Sequence, residues 1–363
     1  MEITAKRKQN SMVQKLIELN ERHAREFINS QRSRQIYRVE HPTEIGVMKC
    51  MDGRVHVPVM TNTPLGVIQP WRNIGGQFNL GWPHYKDTIK EWARYGVSKS
   101  RESVVFATYH FARGFKGEDQ EIVKHRGCAG HGYDTAKAVQ ASYELKKQFD
   151  RVYQNDSLYA IHCGIETDLD ALILHGDNGE IIDLAEVNFG NDEEVQSMLG
   201  RLFPNLSAKA IQDILPLILG NIDHVAEIKK SNRPLADSEH RERVLAIGRG
   251  FDWLHEPNLA LIIGPYDPEL KSTIIKAAGI LQSNIDSKRI DPNEGLVLLV
   301  SAPFRDQGDD QNLAIEKALW LEKYAYSIIK ENVPPSENGT RLIDHLAVIT
   351  ATCDMNTRKL NLL

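Results

Sequence analysis

Hydrophobic and polar positions change period several times along this chain. From residue 11 to 36, Met12, Leu16, Ile17, Leu19 and Phe27 recur at a rough helical spacing among Glu, Lys and Arg, which predicts an amphipathic helical arm packing on the main body. The pattern then shortens to strand-like runs. Ile45 to Lys49 reads as a strand with Cys50 at its C-terminal end, and SVVFATYHF as a strong β run with Tyr109 and His110 near its end. LYAIHCGIE reads as a third strand. Between these runs, KDTIKEWARYGV predicts a helix ending near Gly96, and TAKAVQASYELKKQFDRVY a long helix starting after Asp134. Residues 61–84, rich in Gly, Pro, Asn and Trp, are expected to form an ordered loop. ARGFKGEDQEIVKHRG reads as a polar insertion leading to Cys128.

Strand and helix alternate, the order of an α/β fold with a largely parallel sheet. Ligands of such sheets sit at the carboxyl ends of the strands, where Cys50 and His110 are placed. Residues 185–240 read as mainly helical, and SNRPLADSEHRER as a polar boundary. Beyond it the pattern returns. LALIIGPYDPE resembles GVMKCMDGRVH, GLVLLVSAPF resembles SVVFATYHF, and HLAVITATCDMNTRKLNLL lies on YAIHCGIETDLDALIL without a gap. We read this as an internal duplication; two unrelated halves sharing a generic strand–helix order is the alternative. In this register Gly264, Tyr266 and Pro268 stand where the first half has Cys50, Asp52 and Arg54, and Pro303 stands where it has His110. The second half keeps the scaffold and loses the polar set.

Composition narrows the classes. At about 150 residues per domain, 363 residues suggest roughly two domains. Hydrophobic residues are 41% and charged residues 26%, the profile of a globular chain, and no apolar run approaches the ~20 residues of a membrane span. A net charge of −5 without a basic block makes nucleic acid an unexpected partner. MEITAKRKQNSMVQKL has basic residues but no apolar core behind them, so it does not read as a signal peptide. Four cysteines are too few for a disulfide scaffold, and the reducing cytosol is the default compartment.

The chemistry concentrates in Cys50-Met51-Asp52-Gly53-Arg54, a C-x-D-x-R string. Asp52 and Arg54 can form a charge-assisted pair, leaving Cys50 to face a metal. Taken alone this is a modest signal, equally compatible with a buried cysteine beside an ion pair. His110 and His125-Arg126-Gly127-Cys128 add to it, because zinc favours Cys and His ligands and a catalytic site leaves one position open. Cys163 and Cys353 read as buried hydrophobes without ligand partners, and Glu166, Asp168 and Asp170 as a solvated turn or a set of salt bridges to the other half. His131 reads as a helix-start residue, with positioning of solvent as its alternative role; Arg72 and Asn73 are candidates to shape the site loop. Ser301 lacks a G-x-S-x-G setting, and the chain has neither a phosphate loop nor a strand–G-x-G-x-x-G–helix unit.

These residues resemble the β-class carbonic anhydrases, which carry C-x-D-x-R after the first strand and later a His and a Cys. Arg72-Asn73-Ile74-Gly75-Gly76 is similar to that family's R-N-x-G stretch. The duplication with one degenerate half resembles the carboxysomal shell branch, as do EIKKSN, GRGFDWLHEPNLAL and GIETDLDAL. The resemblance covers roughly residues 40 to 363. It implies two tandem β-carbonic-anhydrase-like α/β halves with mainly parallel sheets behind a helical arm. Residues 1–40 would be the arm, 41–240 the zinc-binding catalytic domain with a helical C-terminal part, and 241–363 a degenerate domain without metal.

The resemblance further implies Zn2+ held by Cys50, His110 and Cys128. His110 ends a strand as the family's histidine does; His125, which satisfies H-x-x-C literally, is the alternative ligand. It implies reversible hydration of carbon dioxide to bicarbonate by zinc-bound hydroxide, with Asp52 orienting that hydroxide and Arg54 holding Asp52. Two thiolates cancel the formal charge of zinc, so more activity is expected at alkaline pH. Asp52 could also bind zinc in a closed, inactive state once its pairing with Arg54 is broken. A carbonyl sulfide or carbon disulfide hydrolase on the same fold, and a zinc-binding structural protein without turnover, are the competing readings. A homo-oligomer, dimeric or dimer-based, is expected, with neither nucleic acid nor membrane as partner. Only about 45 residues precede the first ligand, so a free cytoplasmic enzyme fits at least as well as placement in a carboxysome, in association with its shell or with Rubisco.

Overall fold

Runs of mainly apolar residues, seven to nine long, form strands that are buried on both faces, as expected when helices cover a parallel sheet. A computed structural model of the chain describes residues 11–83, 85–113, 127–153, 158–231, 233, 240–254, 256, 258–336 and 339–363. The chain forms two compact units, one of residues 32–238 and one of residues 1–31 with 239–363.

In the first unit, β1 (Glu44–Cys50), β2 (Ile68–Asn73), β3 (Ser103–Phe111) and β4 (Leu158–Glu166) are parallel. The strands β5 (Ala171–His175) and β6 (Ile181–Asp183) extend the sheet antiparallel, giving the order β2-β1-β3-β4-β5-β6. The strand β2 lies within the stretch expected to be a loop. Pro70 obscures it in the sequence, but Pro is tolerated here because β2 is the edge strand. One face of the sheet packs Ile45, Val47, Phe106 and Ile161 against two helices that follow β6: Asp192–Leu202, and Ala208–Ser231 with Ile211, Ile214 and Ile218. The expected helical stretch is thus two helices. The first is capped by Asn191, whose side chain accepts from the Glu194 N–H at 3.0 Å, and it carries Asp192, Glu193 and Glu194 in its first turn, where the helix dipole favours acids. Buried Asn221 ties the second helix to the sheet. It donates to the carbonyls of Met60 and Asp170 and accepts from the Leu172 N–H. The helices Tyr85–Ser98 and Thr135–Val152 occupy their expected places.

The second unit repeats this plan. The strands β7 (Val244–Gly248), β8 (Ala260–Ile263), β9 (Leu296–Phe304) and β10 (Leu346–Asp354) are parallel, and β11 (Leu360–Leu362) is antiparallel. Their order, β8-β7-β9-β10-β11, matches β2-β1-β3-β4-β5. The register corrects part of the expected correspondence. The partner of β1 is β7, a short strand hidden beside the polar boundary, whereas LALIIG forms β8, the counterpart of β2. Ile45 and Val244 each pair with the second residue of a nine-residue central strand; five positions on, Cys50 corresponds to Arg249 rather than to Gly264. His110 does correspond to Pro303, each being the eighth residue of its strand.

The arm expected over residues 11–36 is two helices, Ser11–Asn29 and Gln31–Glu40. The first belongs to the second unit. Met12, Val13, Leu16 and Leu19 enter its core beside Val244, Val297 and Ala347. Buried Asn20 donates to the Arg358 carbonyl and accepts from the Leu360 N–H, both at 2.9 Å.

Candidate metal centre

Cys50 is the last residue of β1 and His110 the penultimate residue of β3, so two adjacent parallel strands deliver both side chains to the carboxyl end of the sheet. Cys128 arrives from outside the strands. It follows Gly127, which bridges Phe111 just beyond His110, and precedes a 3-10 turn, Ala129–His131. The Cys50 and Cys128 Sγ atoms and a His110 ring nitrogen all lie within 4.8 Å of one another, and all three residues are buried. The two sulfurs are 3.6 Å apart, hydrogen-bonded and not joined in a disulfide. His125 lies outside the described residues.

The electrostatics single out Cys50. Burial opposes its ionisation, but the hydrogen bond with Cys128 and the nearby His110 imidazole hold it well below the usual thiol range. Cys128 is held well above that range by its hydrogen bond with Cys50 and by burial. Both ring nitrogens of His110 are buried without a hydrogen-bond partner among the described residues, a costly arrangement in the absence of a ligand. The donor set fits zinc: at ~2.3 Å per Zn–S bond, tetrahedral angles place two sulfurs about 3.8 Å apart, close to the separation found.

Asp52 and Arg54 form the pair that the sequence suggests. The Asp52 carboxylate accepts from the Arg54 backbone N–H at 2.8 Å, from Nε at 3.1 Å and from Nη2 at 2.8 Å. Buried and so oriented, its Oδ2 lies 3.8 Å from His110 Nε2. Sequence reasoning missed Lys49, whose signal is a charged residue inside an apolar strand. It is buried, and its pKa is held well below the ordinary lysine value by burial and by Arg72, while Cys50 and Asp52 act in the opposite sense. Asn73, fully buried at the end of β2, donates to the Gln77 carbonyl and shapes the loop beyond.

The remaining candidates fall elsewhere. Cys163 packs into the core of the first unit, and burial raises its thiol to about 12. Cys353 is likewise raised to about 12 by burial and by Asp252. The acidic turn is buried rather than solvated, and Glu166 and Asp170 find partners within its own unit. Glu166 accepts from the Asp168 and Leu169 N–H groups, and Asp170 pairs with His224 and Arg233. His131, three residues beyond Cys128, donates from Nε2 to the Gly75 carbonyl rather than starting a helix.

Fold and site together define an α/β protein with a buried Cys–His–Cys cluster that could hold a metal ion at the carboxyl end of a parallel sheet. Residues 41–188 match the family model of the carboxysome shell carbonic anhydrase catalytic domain. Three proteins named carboxysome shell carbonic anhydrase are similar to the chain. That of Prochlorococcus marinus is 26% identical over 250 residues, covering 59% of this chain and 46% of the relative. That of Parasynechococcus marenigrum is 23% identical over 252 residues (59% and 41%), and that of Halothiobacillus neapolitanus 21% over 262 (60% and 49%). The matches span less than half the length of each relative. The resemblance read from the sequence is therefore to the carboxysome shell branch, and it is carried by the segment that holds Cys50, Asp52, Arg54, His110 and Cys128.

Proposed function

We propose that this chain is a zinc-dependent carbonic anhydrase that interconverts carbon dioxide and bicarbonate. The observation that carries the reading is a buried Cys50–His110–Cys128 trio with the Arg54-held Asp52 carboxylate beside it. A structural zinc site needs no such carboxylate–guanidinium pair. Zn2+ held by the trio would act as a Lewis acid, making hydroxide available near neutral pH.

The chain's own residues do the rest. Asp52, acceptor-only when ionised, takes a hydrogen bond from the attacking oxygen and aims its lone pair at the carbon of carbon dioxide. Arg54, bonded through its backbone and its guanidinium, keeps Asp52 ionised and fixes its direction. The same bonds hold Asp52 away from the ligand set; breaking them would free the carboxylate to become a fourth ligand and close the site. The names of the relatives support a place with a carboxysome shell, which we include in the proposal. Elemental analysis tests the site. About one zinc per chain is expected in the wild type, and little in Cys50→Ala or His110→Ala. A His110→Ala variant with full zinc would reassign that ligand position.

A further inference from the structure

Cys128 is the one ligand that no strand positions, and the side chains that fasten it have no part in the proposed chemistry. Its turn, Ala129–His131, packs against a second 3-10 turn, Ile74–Gly76, that follows β2. The two turns meet glycine to glycine. A Cβ on Gly130 would come within 2.6 Å of the Gly75 nitrogen, and one on Gly75 within 2.7 Å of His131 Nε2. Two polar side chains, themselves 3.5 Å apart, close the contact with one bond in each direction between the turns. His131 Nε2 donates to the Gly75 carbonyl at 2.8 Å, and Gln77 Nε2 donates to the Gly130 carbonyl at 3.0 Å. The Gly75–Gly76 turn is itself seated on the ligand-bearing strands: a Cβ on Gly76 would meet the Thr108 carbonyl at 2.9 Å and the Cys50 nitrogen at 3.4 Å. Asn73 holds the base of the turn through the Gln77 carbonyl at 2.9 Å.

We infer that His131 and Gln77 are positioning residues, a clasp that locks the Cys128 turn onto the turn after β2 and so sets the distance between the two ligand sulfurs. The inference rests on the proposed metal site for its purpose, but the clasp itself acts without metal. A tetrahedral ion tolerates little error in ligand placement, and the groups that orient ligands affect metal affinity almost as strongly as the ligands themselves. Neither His131 nor Gln77 touches the metal position in this account; each acts through Cys128.

Two readouts test it. In metal-free protein, iodoacetamide should alkylate Cys128 about tenfold faster in His131→Ala, and faster still in the Gln77→Ala/His131→Ala double variant, with Cys163 unreactive throughout. His131→Gln, whose amide N–H can reach the same carbonyl, should restore much of the protection. In zinc-loaded protein, release to a chelator should accelerate by a similar factor in His131→Ala. Ser142→Ala, which removes the hydrogen bond to His162, should leave both readouts at wild-type values. If His131→Ala unfolds, shown by Cys163 becoming reactive, Gln77→Leu carries the same test through the remaining bond. Wild-type alkylation rates in the folded variants would overturn the clasp. A wild-type protein that takes up no zinc, with its Cys128 protection lost in His131→Ala, would instead leave the clasp standing and overturn the proposed function.

Discussion

At the scale of single residues, the account turns on groups whose ordinary chemistry is altered by what surrounds them. Arg54 touches Asp52 through three donors, so Arg54→Ala should free the carboxylate while leaving the ligand trio intact. Turnover is expected to fall by about ten- to a hundredfold with zinc content unchanged, measured by carbon dioxide hydration beside elemental analysis. Full activity would remove Arg54 from the mechanism. Glu166 offers a prediction about stability instead. Burial pushes its carboxyl up to about 7 from an ordinary 4.5, opposed by hydrogen bonds from Asp168 and Leu169 and by Arg113. The folded state then holds a proton that the unfolded state releases, so this group's contribution to stability falls as pH rises between those values. Glu166→Gln removes the dependence, and its melting temperature relative to wild type should rise from about pH 5 to about pH 8. A constant difference across that range would contradict the assignment.

At the scale of elements, the legible parts were those with strong local periodicity. SVVFATYHF, LYAIHCGIE and GLVLLVSAPF form the central strands as expected, because a strand buried on both faces reads as a largely apolar run. Two strands, β2 and β7, were not legible. Pro70 and the surrounding Gly, Asn and Trp hid β2, and VLAIG was masked by the polar run SNRPLADSEHRER before it and the Arg and Gly after it. Missing β7 shifted the comparison of the halves, since the eye pairs LALIIG with β1 when the sheet pairs it with β2. The loop after β2 carries its own prediction. Gly76 has φ +64°, and a Cβ there would meet the Thr108 carbonyl. Gly76→Ala should cost about 1–2 kcal/mol from the left-handed backbone alone. It should also loosen zinc, because the same turn backs Cys50 and supports the Cys128 turn. Chemical denaturation and chelator competition on one sample would check both effects.

At the scale of the whole chain, two sheets share one strand order but not one chemistry. Arg249 and Pro303 stand where Cys50 and His110 stand in the first sheet, and neither can serve as a thiolate or imidazole ligand. Cys50 and the Asp52–Arg54 pair stood out in the sequence because C-x-D-x-R is local, and the structure brings Cys50, His110 and Cys128 together. What was not legible is how Cys128, 18 residues beyond His110 in sequence, returns to the site, since that depends on glycine contacts and side-chain bonds between separate loops. No described helix is long and apolar enough to cross a membrane. One active half implies that Cys353→Ser leaves zinc content and turnover unchanged, as an assay of the purified variant would show. The most direct test of the central claim is stopped-flow hydration of carbon dioxide across pH, on protein of known metal content, with Cys50→Ala alongside. The account predicts fast turnover that rises toward alkaline pH and is lost in the variant together with zinc. Zinc bound without hydration at any pH, or full turnover in Cys50→Ala, would contradict it.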